Sequence, residues 1–163
     1  MIDLFEFDPK NKRIGVGNFV FDKSNSKGTV LFGAGVSSTS ITNSLIKITS
    51  NNTCEGFAEG GDFCGSKTDY KIYFVAEFDR PFTSKGTWTK NKITKDYHLA
   101  FGENSGAYFT FTSEKEVNYR IAVSYVSIEN AKENLKANLL EGGFLAYKEN
   151  AEKTWDNNLS KIA

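Results

Sequence analysis

The apolar periodicity of the chain changes once, at about Val126, and that change restricts the fold more than any single motif. Before it, short runs alternate apolar and polar residues and are broken by Gly, Asn, Ser and Asp. After it, apolar residues recur at steps of three and four. A step of two sends successive side chains to opposite faces of a strand, whereas a step near 3.6 lines one face of a helix. The runs Ile2–Phe7, Asn18–Phe21, Thr29–Phe32, Leu45–Ile48, Lys71–Phe78, Tyr97–Phe101, Ala107–Thr112 and Asn118–Val126 are therefore expected as strands. In the last, Tyr119, Ile121, Val123 and Tyr125 share one face, and Asn118, Arg120, Ala122 and Ser124 share the other. Turn chemistry at Asn51-Asn52, Gly60-Gly61-Asp62 and Glu103-Asn104-Ser105-Gly106 separates these runs. The sum is a mainly β chain, an antiparallel β-sandwich. Tyr73–Phe78 is apolar on both faces apart from Glu77, so it belongs in the middle of its sheet.

The second part reads as two helices. Ser127 can cap the first, Glu129 lies in its first turn, and Ile128, Ala131, Leu135 and Leu139 form its apolar stripe. Gly142-Gly143 stops it. Tyr147, Ala151, Trp155, Leu159 and Ile162 form the stripe of a second helix that runs to the end of the sequence. The division is thus 1–126 for the sandwich and 127–163 for a helical segment. An apolar stripe needs something to pack against, either the sandwich or a further domain.

Charge and cysteine content exclude more than they select. Twenty acidic residues balance twenty basic ones, so no nucleic acid or anionic membrane is called for as a partner. No apolar run is long enough to span a membrane, and MIDLFEFDPK is too acidic and short for a signal peptide. Fourteen Phe and seven Tyr suit a sheet core filled by rings. Cys54 and Cys64 are expected as free thiols, with a disulfide as the alternative, and with one His they do not make a metal site. Asn51 and Asn158 begin glycosylation sequons that matter only in a secreting eukaryote.

One stretch looks chemically active. In YFVAEFDRPF (Tyr73–Phe82), Glu77 and Asp79 stand two residues apart, with α-carbons about 6.6 Å apart in a strand. Glycosidases use two carboxylates at roughly 5 to 9.5 Å. The plainer reading is a strand that ends near Asp79, closed by Pro81, with Arg80 as counter-charge to both acids. Were the strand to continue, Asp79 and Arg80 would face opposite ways, and the partner of Arg80 would lie on another strand. Gly15-Val16-Gly17 precedes a strand rather than a helix and so is no dinucleotide loop. His98 lies between Tyr97 and Leu99 with no nucleophile nearby in sequence, as a packing or surface residue. Trp88, in the polar stretch SKGTWTKN, is expected in a loop, where it anchors that loop or stacks on a sugar.

Several blocks carry a resemblance. KRIGVGNFVF (Lys12–Phe21), GGDFCGS (Gly60–Ser66), KIYFVAEFDRPF (Lys71–Phe82), SGAYFTF (Ser105–Phe111), VSYVSIENAKENL (Val123–Leu135) and AEKTWDNNLSKI (Ala151–Ile162) occur in this order. Together they resemble the N-terminal domain of glycoside hydrolase family 92, the calcium-dependent exo-acting α-mannosidases, chiefly α-1,2-mannosidases of bacteria. The resemblance implies a sandwich of the galactose-mutarotase-like (supersandwich) kind and C-terminal linker helices leading to an (α/α)6 catalytic barrel. It implies hydrolysis of terminal α-linked mannose with inversion, by an acid and a base, with calcium on the sugar hydroxyls. In the family, the acid, the base and the calcium ligands belong to the barrel. No catalytic residue, metal ligand or cofactor is therefore expected in this chain. Its expected partners are the helical catalytic domain and, through the whole enzyme, a mannose-containing glycan; the expected location is secreted, periplasmic or cell-surface. Cys64 falls in the GGDFCGS block as a structural residue. The alternative is a stand-alone carbohydrate-binding or structural interaction module, with Trp88 as the sugar contact.

Overall fold

The computed structural model describes residues 14–22, 24, 26–35, 41–61, 65, 69–112, 116–137 and 141–161. Their strands are β1 (Ile14–Phe19), β2 (Lys27–Gly33), β3 (Ile41–Ile48), β4 (Thr53–Gly60), β5 (Tyr70–Phe78), β6 (Ser84–Thr89), β7 (Lys92–Lys95), β8 (Leu99–Phe101), β9 (Ser105–Thr112) and β10 (Val117–Ser124). Two helices follow, α1 (Ile128–Ala137) and α2 (Gly143–Leu159). The strands make two sheets, one of six in the order β1-β10-β5-β4-β3-β8 and one of four in the order β2-β9-β6-β7. All paired neighbours are antiparallel. The expected sandwich is present, and β5 lies inside its sheet as its two-sided apolar pattern requires.

The reason for that pattern is three layers. Phe74, Ala76 and Phe78 point between the sheets, while Val75 points outward into a second cluster with Ile14, Val16, Ala122, Ala131, Leu135 and Tyr147. The helices cover this outer face. Ser127 caps α1, its Oγ accepting from the Asn130 N–H at 3.0 Å, as expected. Asn134 donates to the Val123 carbonyl at 2.9 Å, which ties α1 to the end of β10. On α2, Tyr147, Ala151 and Thr154 are buried, whereas Trp155 and Leu159 stay 44% and 56% exposed. The apolar stripe expected there thus only half meets the sheet. Thr154 replaces Trp155 on the buried face because its hydroxyl donates to the Asn150 carbonyl at 2.7 Å.

Between the sheets lies a cluster of rings. Phe78 sits 5.2 Å from Phe109, 5.3 Å from Phe111 and 5.5 Å from Phe82, and Phe82 stacks on Phe109 at 4.4 Å. Such ring pairs add to the area that they bury. Cys54 is a free thiol with no exposed surface in the same core; burial first, and the neighbouring Glu55 charge second, push its pKa far above the ordinary thiol range. Cys64, Ile2–Phe7, Leu139 and Ile162 lie outside the described residues.

Three strands escape the sequence pattern. β4 presents small Cys54, Gly56 and Ala58 inward, so its apolar signal is weak although it pairs on both sides. A side chain at Gly56 would overlap the Leu45 carbonyl, so the close approach of β3 depends on this glycine. β6 and β7 form a hairpin across Lys90-Asn91, with Lys90 at φ 54° in place of the usual glycine. β1 starts earlier than expected, at Ile14, because Gly15 and Gly17 are strand residues: the Tyr119 ring lies over Gly17.

Candidate functional site

The suspected acids sit at the end of β5, on the helix-covered side of the six-stranded sheet. Glu77 stands directly opposite Arg120 of β10, and Arg120 Nη2 donates to Glu77 Oε2 at 2.5 Å. The regular strand stops at Phe78. Beyond it the Asp79 N–H donates to the Asn118 carbonyl at 2.9 Å and the chain bends. There Arg80 folds back on its neighbour, Nε to Asp79 Oδ1 at 3.0 Å and Nη2 to Oδ2 at 3.2 Å, while Asn118 Nδ2 donates to Oδ2 at 2.8 Å.

One expectation holds and one changes. Arg80 pairs with its neighbour Asp79, because the strand ends and the bend removes the alternation that would have separated them. Glu77 takes Arg120 as its counter-charge, not Arg80. The decisive neighbour lies 43 residues away in sequence, so only the register of β5 against β10 could have revealed it. A third carboxylate, Glu55 of β4, is buried on the same face. Lys132 of α1 sits 2.7 Å from its Oε2, an ion contact rather than a well-angled hydrogen bond.

Two clefts flank the Arg120–Glu77 pair. One of about 280 Å³ opens between Asp79, Asn118 and Arg120 and the start of α2 at Gly143, Phe144 and Tyr147. The other, of about 350 Å³, runs under α1 between Glu55, Glu77, Lys132 and Lys136. In both, the acids face cations. Among the described residues no group of three or more His, Cys, Asp or Glu could hold a metal ion. Lys132–Glu55 ties α1 to the sheet, while Arg120–Glu77 joins β10 to β5 within it.

The remaining candidates lie apart. His98 is exposed beside β8, its carbonyl accepting from the Ile48 N–H at 2.8 Å and its ring 5.4 Å from Tyr97. Trp88 is not in a loop but within β6, on the outer face of the four-stranded sheet. Its register partner is Gly106, and a side chain at Gly106 would overlap the indole, so the ring lies across β9. Tyr108 lies over Gly86 in the same way on the neighbouring pair.

Residues 10–124 match the glycosyl hydrolase family 92 N-terminal domain. The chain belongs to this family. Solved structures agree on the fold. The family GH92 α-mannosidase BT3965 from Bacteroides thetaiotaomicron superposes with a TM-score of 0.78 at 22% identity, over 91% of this chain and 21% of that one. The GH92 family glycosyl hydrolase ccman5 gives 0.80 at 23%, over 91% and 20%. The family GH92 inverting mannosidase BT2199 from Bacteroides thetaiotaomicron VPI-5482 gives 0.78 at 20%, over 91% and 20%. The chain thus spans about a fifth of the length of these proteins. No curated protein sequence matches it.

Proposed function

We propose that this GH92 N-terminal sandwich is the non-catalytic part of an α-mannosidase, buttressing an active site whose acid, base and calcium belong to a separate helical domain. The observation that carries the reading is one of proportion: a match over most of this chain, at about a fifth of the length of mannosidases that share its fold. The geometry supports it, since Glu77, Asp79 and Glu55 each face a basic side chain within ion-pair reach. The substrate of the whole enzyme would be a terminal α-linked mannose, hydrolysed with inversion. Incubation of this chain alone with α-1,2-mannobiose and calcium should release no mannose; release that stops on chelation would overturn the reading.

A second reading draws on Trp88. A ring lying flat across Gly106, on the sheet face turned from the core, can stack on a pyranose, and Tyr108 over Gly86 widens the platform. On this reading the sandwich binds carbohydrate by itself. Titration calorimetry with mannobiose should then show heat that Trp88→Ala removes; no heat at millimolar sugar eliminates it.

A further inference from the structure

The two sheets carry charge differently. The strands of the four-stranded sheet hold Lys27, Lys85, Lys92 and Lys95 and no Asp or Glu. The six-stranded sheet is balanced, with Glu55, Glu59 and Glu77 against Lys47, Lys71 and Arg120. Among the described residues none of the four lysines has an ion-pair partner. Asp96 follows β7 and Glu103 precedes β9, the latter 3.9 Å from Lys90 in the β6–β7 turn. In a chain of zero net charge, one sheet is therefore a positive surface.

The strand register sets two of these lysines beside the outer rings. Tyr108 stands opposite Leu31 of β2 on one side and Gly86 on the other, and Gly86 stands opposite Lys95 of β7. Leu31, Tyr108 and Lys95 thus share a row across the sheet. Trp88 and Ile93 are opposite each other in the next row. Lys27 lies four residues before Leu31 and so on the same face. Leu31 and Ile93 are 73% and 71% exposed. The result is an apolar strip with a cation at either end. With strands about 4.8 Å apart and a rise of about 3.4 Å, the α-carbons of Lys27 and Lys95 stand roughly 20 Å apart, a span for an oligomer rather than one sugar.

We propose that this face binds an acidic polysaccharide, its sugar rings on Trp88 and Tyr108 and its anionic groups on Lys27 and Lys95. The inference rests on the reading of Trp88 as a sugar platform and adds the charge of the ligand. Aromatic rings supply apolar contact that is blind to charge. Lysines supply the selection, as point charges on flexible stems that can follow anionic groups repeated along a chain. A protein partner suits the face less well, because the cores of protein interfaces are depleted in lysine.

The probes are β-1,4-tetramannuronate and β-1,4-mannotetraose, which differ only in the carboxylates. Titration of the whole chain at low salt should give a dissociation constant about tenfold lower for the acidic sugar, a gap that closes in about 1 M salt. Lys27→Gln with Lys95→Gln should remove the gap and leave mannotetraose binding unchanged, whereas Trp88→Ala should weaken both sugars. If Trp88→Ala does not fold, isotope-labelled protein gives the same reading. The indole N–H signal of Trp88, told from that of Trp155 by Trp155→Phe, should shift on titration while the amides of β5 stay in place. Equal affinity for the two sugars overturns the inference and leaves the sugar platform standing; binding of neither overturns both. Tripolyphosphate bound as tightly as tetramannuronate also overturns it, since the face would then be a cation patch with no use for its rings.

Discussion

The two sheets of this sandwich share one core yet live in different surroundings. The six-stranded sheet is covered twice, by rings on one face and by α1 and α2 on much of the other, so β5 buries Phe74, Val75 and Ala76 in succession. Among the described residues the four-stranded sheet is covered once. Its β7 is exposed along its whole length and carries lysines at both ends, a charged edge that discourages pairing with other chains. Its outer face is made orderly in another way, by rings laid over glycines at Trp88–Gly106 and Tyr108–Gly86. Two-sided cover supplies packing energy directly; one-sided cover leaves a sheet to be pinned by particular cross-strand pairs.

Substitutions that strike one sheet, both or neither can break or sharpen this contrast. Phe78→Ala should be the most damaging, because its ring meets others from β9, β10 and the Phe82 segment at once. A loss of about 3–5 kcal/mol by chemical denaturation is expected. A loss under about 1 kcal/mol would mean that the two sheets do not share a core. Leu135→Ala comes next, at about 2–5 kcal/mol, since Leu135 packs from α1 into the outer cluster with Val75. Its effect should be confined: amides of α1 should exchange faster while those of β9 and β6 hold their rates, and equal loss in both sheets would erase the distinction.

The same contrast explains what could be read from the sequence. β5 and β10 were legible because burial on both faces, or clean alternation, leaves an apolar signature. β4 was not, since Cys54, Gly56 and Ala58 fill a crowded interior with little apolar bulk. The β6–β7 hairpin was hidden because one-sided sheets tolerate Ser, Lys and Thr, and because its turn uses Lys90 with positive φ instead of Asn-Gly. The suspect carboxylates were legible as residues but not as a network. Arg120 was read only as one of a polar face, and Glu55 and Lys132 meet across elements whose packing no local pattern encodes.

On the four-stranded side the matching test is Gly106→Ala. The added methyl would overlap the indole of Trp88, so the ring must move off β9. A cost of about 1–3 kcal/mol is expected, as for other overpacked sites. The double change Gly106→Ala with Trp88→Ala should recover part of it. If the double variant is as unstable as the sum of the two single ones, the ring and the glycine are not coupled.

The smallest effect belongs to Glu59 and Lys71, on adjacent strands of the six-stranded sheet. Lys71 Nζ lies 2.6 Å from Glu59 Oε1 and 3.7 Å from the centroid of the Phe57 ring, with both charged side chains about one-third exposed (34% each). The Lys71 hydrogen bond, the largest effect, holds the Glu59 carboxyl below its ordinary range; burial opposes it, and the Lys71 charge and a bond from Asn43 add smaller lowering effects. A carboxyl whose folded pKa is depressed stabilises the fold above the unfolded value, and that stability is lost as pH falls through the folded one. Lys71→Met should therefore lower Tm by no more than about 2 °C at pH 7, with the gap closing as pH falls below the usual carboxylate range and shrinking in high salt. A gap that persists undiminished at pH 2 would assign the loss to the packing of the lysine stem over Phe57 instead of to the charge pair.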